Sequence, residues 1–321
     1  MYRHILVPID GSDLSIDTVG RAVELARSSG ARITFLHTSP LPHAQGGYDG
    51  HAREPIAKAQ SAARALGVPC ETRTAPAGSP HQAIVAAARD GGCDLIFMGS
   101  NRRRTSVGLM IGSQTLKVLM NAGVPVLVSA IIPPGPAARA LDVIRDEHRS
   151  LSVALHAWLH HLEGTRRQAI APDARLMRLI VRYLRDFPVA LHHRREADVL
   201  FTLLRSRTSQ LDAEIEELER QHMRDHEFMV MLEAMVELVA EGKAEASELE
   251  EAVSRYATFV WEHLGREEGV ILPATERHLT EQDWEEVAEA FAPARGQRSG
   301  EDTAAEFRRL LSNIIGPTSG R

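Results

Sequence analysis

Cysteine is scarce in this sequence of 321 residues, in which only Cys70 and Cys93 occur. Two cysteines are too few for a disulfide framework and do not supply the ligand set of a thiolate metal site, so we expect a reducing, cytoplasmic setting. No apolar run approaches the length that a membrane span needs. The sequence opens on a strand-like stretch instead of a basic leader, so we expect neither a signal peptide nor a membrane anchor.

Aromatic residues make up only 5% of the sequence, and the basic residues form no long stripe. Residues 1–131 contain 13 lysines and arginines against 9 acidic residues, whereas residues 132–321 contain 24 against 34. The net charges of the two parts are therefore +4 and −10. Nucleic-acid binding usually requires a clustered basic surface, often with aromatic side chains that stack on bases. We therefore predict no nucleic-acid partner.

Residues 1–131 alternate short β-branched apolar runs with helical stretches. The apolar runs are Ile5–Ile9, Ile33–His37, Leu95–Met98 and Val124–Val128. This alternation predicts an α/β domain with an open parallel sheet, covered by helices on both faces and binding ligands at the carboxyl ends of its strands. Residues 132–139 are rich in proline and predict a linker to a second domain.

Two histidines in the sequence are followed four residues later by a glutamate: His192 by Glu196 and His263 by Glu267. Four residues are about one turn of an α-helix, so each imidazole shares a face with its carboxylate. His193 would face about 100° away from His192 and is not predicted to be a ligand. Upstream histidines, His148 and His222, precede the two pairs by 44 and 41 residues. The region is therefore predicted to contain an internal repeat, in which one helical hairpin occurs twice.

Residues 140–292 are thus predicted to form an all-α, up-down four-helix bundle in which every helix directs one histidine toward a common centre. Imidazole and carboxylate ligands without thiolate suit iron or manganese, and zinc less selectively. Glu196 and Glu267 would each bridge two ions, and each ion would take two of the four histidines. His226 lies one turn after His222, and the sequence leaves open whether it is a further ligand. Residues 293–321 are predicted to be a tail with a short helix.

Residues 1–130 resemble the universal stress protein family. The resemblance rests on Ile5–Ser12, Asp94–Ser100, the pair Gly112-Ser113 and Val124–Val128. In ATP-binding members, Gly-x-x-Gly, nine further residues and Gly-Ser/Thr wrap the phosphates, because glycines let backbone N–H groups approach an anion.

Three residues of this nucleotide motif match, namely Gly99, Gly112 and Ser113, but Arg102 replaces the second glycine. The resemblance also implies that Asp10 faces an adenine or ribose. The resemblance thus implies ATP as a ligand, whereas the Arg102 side chain predicts that ATP binding is weak or absent.

Residues 140–292 resemble the hemerythrin-like cation-binding family. The resemblance rests on Asp146–His148, Phe187–Glu196, His222 and His263–Glu267 with Leu272-Pro273. It implies two non-haem iron ions as the cofactor. The implied ligands are His148, His192, Glu196, His222, His263 and Glu267.

Together the two resemblances imply a stress-response protein. Its diiron centre would bind or sense O2, NO or peroxide, while the first domain would regulate it or form dimers. A diiron enzyme (a peroxidase, an NO-consuming protein or an iron-centre repair protein) and simple storage of oxygen or iron remain alternatives, and no catalytic residue is assigned. The apolar strand Val124–Val128 would leave an exposed sheet edge, so we predict a homodimer formed through the first domain.

Overall fold

The computed structural model describes residues 2–39, 50–76, 78–99, 113–129 and 136–292. Contacts divide the chain into two compact units. The first comprises Met1–Pro133 and Trp261–Arg277, and the second comprises Pro134–Val260 and His278–Arg321. None of the helices in the described part of the chain is both long and apolar enough to cross a membrane.

The first unit contains a five-stranded parallel sheet in the order β3-β2-β1-β4-β5. Its strands are β1 (His4–Ile9), β2 (Arg32–Ser39), β3 (Cys70–Pro76), β4 (Leu95–Gly99) and β5 (Val126–Ser129), and its flanking helices are α1 (Asp13–Ser29), α2 (Gly50–Ala65), α3 (Pro80–Asp90) and α4 (Ser113–Asn121). Successive side chains of a strand point to opposite faces. Accordingly, Ile5 and Val7 lie in one buried apolar cluster, and Leu6 lies in another. The predicted α/β parallel sheet is confirmed.

The edge strand β3 was not among the strands that the apolar pattern predicts. Its sequence, Cys-Glu-Thr-Arg-Thr-Ala-Pro, contains a run of four polar residues, Glu71–Thr74, which suits a strand at the partly exposed edge of the sheet. At the other edge, β5 is short, and the side chain of Leu127 is 44% exposed. The sheet therefore has one polar edge and one apolar edge.

The remaining described secondary structure is helical. It consists of α5 (Pro136–Gln168), α6 (Ala174–Leu184), α7 (His193–Arg195), α8 (Thr202–Arg207), α9 (Asp212–Ala240), α10 (Ala246–Arg266), α11 (Leu272–His278) and α12 (Glu281–Ala290). Two π-helical turns, Arg185–His192 and Glu196–Phe201, connect α6 to α8 without a loop, and a third, Glu267–Ile271, connects α10 to α11. The prediction of an all-α region after the sheet is confirmed.

A charged cluster fixes the start of α12. The hydroxyl of Thr280 accepts a hydrogen bond from the backbone N–H of Asp283, and the Asp283 carboxylate accepts one from the N–H of Thr280. Arg207 donates two further bonds of 2.8 Å to the same carboxylate. These bonds, with Arg207 first, hold the pKa of the buried Asp283 carboxyl well below its ordinary value.

Asp283→Asn should lower the free energy of unfolding at pH 7 by about 1 kcal/mol, because it weakens the cap and removes the charged acceptor. A carboxyl group with a depressed pKa stabilises the fold above its unfolded pKa, and this contribution is lost as the pH falls through its folded pKa. Urea titrations should therefore show a constant difference from pH 8 to 5 that shrinks below about pH 4. Asp198→Asn, which alters an exposed ion pair with Arg194, is the control and should have little effect. A difference in unfolding free energy that does not change with pH would contradict the depressed pKa of the Asp283 carboxyl.

Candidate metal centre

Each predicted ligand sits on a helix, and three of them lie at a π-helical turn. His192 ends the first π turn, Glu196 begins the second, and Glu267 begins the third. The others are His148 on α5, His222 on α9 and His263 on α10. Proline lacks a backbone N–H and disturbs helical hydrogen bonding, and Pro188 and Pro273 lie in or just after two of these turns. Such turns occur frequently at functional sites.

The structure brings the six predicted ligands into two overlapping groups whose ligand atoms lie within 4.8 Å of one another. One group is His148, His192, Glu196 and Glu267, and the other is Glu196, His222, His263 and Glu267. Both carboxylates therefore occur in both groups. All six residues are buried or nearly so, and Glu196 and Glu267 are each only 1% exposed.

The spacing of the donor atoms fits a bound cation. The Nε2 atom of His192 lies 3.1 Å from Oε1 of Glu196, and Nε2 of His263 lies 3.1 Å from Oε1 of Glu267. Two atoms that bind one ion at roughly 2.1 Å and at a right angle are themselves about 3 Å apart. The Nε2 atoms of His148 and His192 also face each other at 3.1 Å. Nitrogen and oxygen donors of this kind suit iron, manganese or zinc.

Glu147 orients the imidazole of His192. The Nδ1 of His192 lies 2.6 Å from Oε2 of Glu147, whose other oxygen accepts a hydrogen bond from Arg195 at 3.0 Å. A carboxylate behind a histidine fixes the tautomer that directs Nε2 toward a metal. Sequence reasoning did not assign this role to Glu147, although the residue lies in the Asp146–His148 motif.

The His192–Glu196 pair is held in its charged form. Burial by itself lowers the pKa of His192, but the carboxylates, with Glu196 first, outweigh it and hold the pKa well above the ordinary value. Burial by itself raises the pKa of Glu196, but His192 and then His222 hold it well below the ordinary value. The Glu196 carboxylate is therefore deprotonated, as a ligand must be, whereas the imidazole of His192 has to release its proton before its Nε2 can bind a metal.

His193 also lies at the centre, contrary to the expectation from regular α-helical geometry. Its ring stacks on that of His222, with centroids 3.9 Å apart and an angle of 9° between the planes, and its Nε2 lies 3.6 Å from Asp225. It forms a third group with His222 and His263. The π turn that ends at His192 changes the angular spacing of the helix. Pro188 was the sequence signal that could have indicated this change.

His226, which the sequence left open as a ligand, is exposed on α9 and belongs to none of the three groups found among the described residues. The structure therefore favours the alternative in which His226 is not a ligand.

The proposed nucleotide residues are only partly described. Asp10 follows β1, and its carboxylate accepts hydrogen bonds from the N–H and the hydroxyl of Ser12, which caps α1. Gly99 ends the neighbouring strand β4, and Ser113 begins α4. Arg102 and Gly112 lie outside the described residues.

These observations define a class of two-part protein, in which a parallel α/β sheet is followed by a helical region with a buried histidine–carboxylate cluster. The universal stress protein family matches residues 1–129, and the hemerythrin HHE cation binding domain matches residues 139–275. The chain belongs to the universal stress protein family and also carries a hemerythrin HHE cation binding domain.

Individual relatives match the first part of the chain. A universal stress protein of Thermus aquaticus is 33% identical over 135 residues, which are 40% of this chain and 98% of the relative. One from Methanocaldococcus jannaschii is 30% identical over 141 residues, 40% of this chain and 82% of the relative. The solved structure of the Archaeoglobus fulgidus universal stress protein in complex with dAMP is 26% identical, covers 40% of this chain and 97% of that chain, and has a TM-score of 0.34.

Proposed function

We propose that this is a stress-response protein whose non-haem diiron centre binds or senses O2, NO or peroxide. The single observation that carries the proposal is the pair of overlapping ligand groups that share Glu196 and Glu267. One iron would take His148 and His192, the other would take His222 and His263, and both carboxylates would bridge. Iron held in this way supplies coordination positions and an accessible redox couple for a small oxidant or gas.

The surrounding residues would hold these ligands in place and limit the access of water. Phe291 meets the ring of His192 edge-on at 6.0 Å, and Phe201 stacks near His222 at 5.9 Å. Both phenylalanines are buried. Apolar side chains around a metal control solvent access and the local dielectric, and so tune its chemistry.

Protein purified without oxygen and reconstituted with iron should bind two equivalents per chain. Glu267→Ala should lose both ions, because the missing carboxylate belongs to both ligand groups. Glu251→Ala, at an exposed position on α10, is the control and should retain both. Metal analysis, with far-UV circular dichroism to confirm folding, gives the count. Wild-type protein that never exceeds one equivalent would contradict the two-iron proposal.

The ligand proposal predicts a spectroscopic response. Anaerobic diiron protein should change its absorption spectrum on addition of O2, NO or peroxide, and a reversible change that returns when the gas is removed would support binding or sensing. Sustained consumption of peroxide or NO with added reductant would instead support the enzyme alternative. An iron-loaded protein whose spectrum none of the three reagents alters would contradict both and leave simple iron storage.

We also propose that the first domain forms a homodimer. Leu127 on the edge strand β5 is 44% exposed, and Leu116 and Met120 on the neighbouring helix α4 are 48% and 76% exposed. An apolar, unpaired edge strand is a surface that proteins usually cover.

Leu127→Arg should convert the dimer to a monomer, because it places a charge in the apolar surface. Light scattering of the full chain gives the mass directly. Leu238→Arg, at a position on α9 that is 41% exposed, is the matched control and should leave the dimer intact. A wild-type chain that is monomeric at all working concentrations would refute the dimer, and disruption by the control alone would place the interface elsewhere.

For the first domain we propose weak or absent ATP binding. Arg102 replaces a glycine between Gly99 and the pair Gly112-Ser113, and the Asp10 carboxylate is already engaged by Ser12.

A further inference from the structure

The segment that carries His263 and Glu267 packs closely against α2 within the first unit. A methyl group added at Gly265 would overlap the backbone of Lys58, and one added at Gly269 would overlap the Cβ of Ala62. The hydroxyl of Ser61 also donates a hydrogen bond to the carbonyl of Glu262 at 2.5 Å. Glycines at 265 and 269 therefore allow the two backbones to approach one another.

A buried ion cluster accompanies this contact. Lys58 is 4% exposed, and its Nζ lies 3.0 Å from Oε2 of Glu268 and 3.1 Å from Oε1 of Glu54. Burial by itself lowers the pKa of Lys58, but the two carboxylates, with Glu268 first, outweigh it and keep the pKa above its ordinary value. Lys58 is therefore charged.

The position of Glu268 gives this cluster its importance. Glu268 is 3% exposed and follows Glu267, which is 1% exposed and belongs to both ligand groups. Burying a carboxylate without a compensating partner is strongly unfavourable. Two adjacent buried carboxylates can be held in place only if each has its own compensation, and Lys58 supplies a buried cation to one of them.

We propose that Lys58 is a positioning residue for the metal centre: by neutralising Glu268 it holds the turn from His263 to Glu267 in the arrangement that binds metal. Lys58 would then control the metal affinity of the centre through a contact within the first unit. The inference rests on the proposed metal-binding function.

The test compares iron affinities in the full chain, measured by chelator competition, together with the thermal stability of the iron-free protein. Lys58→Met leaves Glu268 without its buried cation and should weaken iron binding about tenfold or more, the usual effect of losing a residue that supports a ligand. The double variant Lys58→Met/Glu268→Met removes the two most deeply buried charges of the cluster and leaves Glu54, whose side chain is 19% exposed; it should restore the affinity to within about threefold of wild type. Lys243→Met, which is exposed, is the control and should behave as wild type.

Recovery in the double variant supports the proposal, and it does so even if Lys58→Met alone fails to fold. Wild-type iron affinity in a folded Lys58→Met protein would overturn the proposal while leaving the proposed function intact. A double variant as impaired as the single variant would also overturn it, because neutralisation of Glu268 would not be the role of Lys58. Wild-type protein that binds no iron would refute the proposed function itself, and this inference with it.

Discussion

The burial of the Glu196 and Glu267 carboxylates is the constraint on which the rest of the helical region depends. Each is 1% exposed, and a buried carboxylate without compensation costs several kcal/mol. His192 and His222 compensate the Glu196 carboxylate, at 3.1 and 3.4 Å from its oxygens. Two cations, one bound by each of the two ligand groups, would compensate both carboxylates at once. The same arrangement therefore explains why the residues are buried and what they would bind.

Two sets of residues around the centre support its ligands. Glu147 and Arg195 hold His192 from behind, and Lys58 compensates Glu268 beside Glu267. The π-helical turns position His192, Glu196 and Glu267, because a π turn changes the direction in which the following side chains leave the helix. Local helix geometry and charge pairing therefore act together at these residues.

The parallel sheet and most of the candidate ligands could be predicted from the sequence, because the patterns that indicate them involve residues close together along the chain. The four-residue spacing predicts the two histidine–glutamate pairs, and the structure places each pair at 3.1 Å. The alternation of apolar runs likewise predicts the parallel sheet. By contrast, His193 was not predicted because the angular argument assumed regular α-helical geometry. Glu147 and Lys58 were not predicted because their roles depend on partners 45 and 210 residues away.

The central claim is that two metal ions share the carboxylates of Glu196 and Glu267. X-ray absorption spectroscopy of the iron-loaded chain tests it most directly, because iron–iron scattering arises only when two ions are close together. The account predicts an iron–iron distance of about 3.5 Å, together with nitrogen and oxygen neighbours and no sulfur. Iron–ligand scattering without any iron–iron contribution, in protein loaded to saturation, would contradict it.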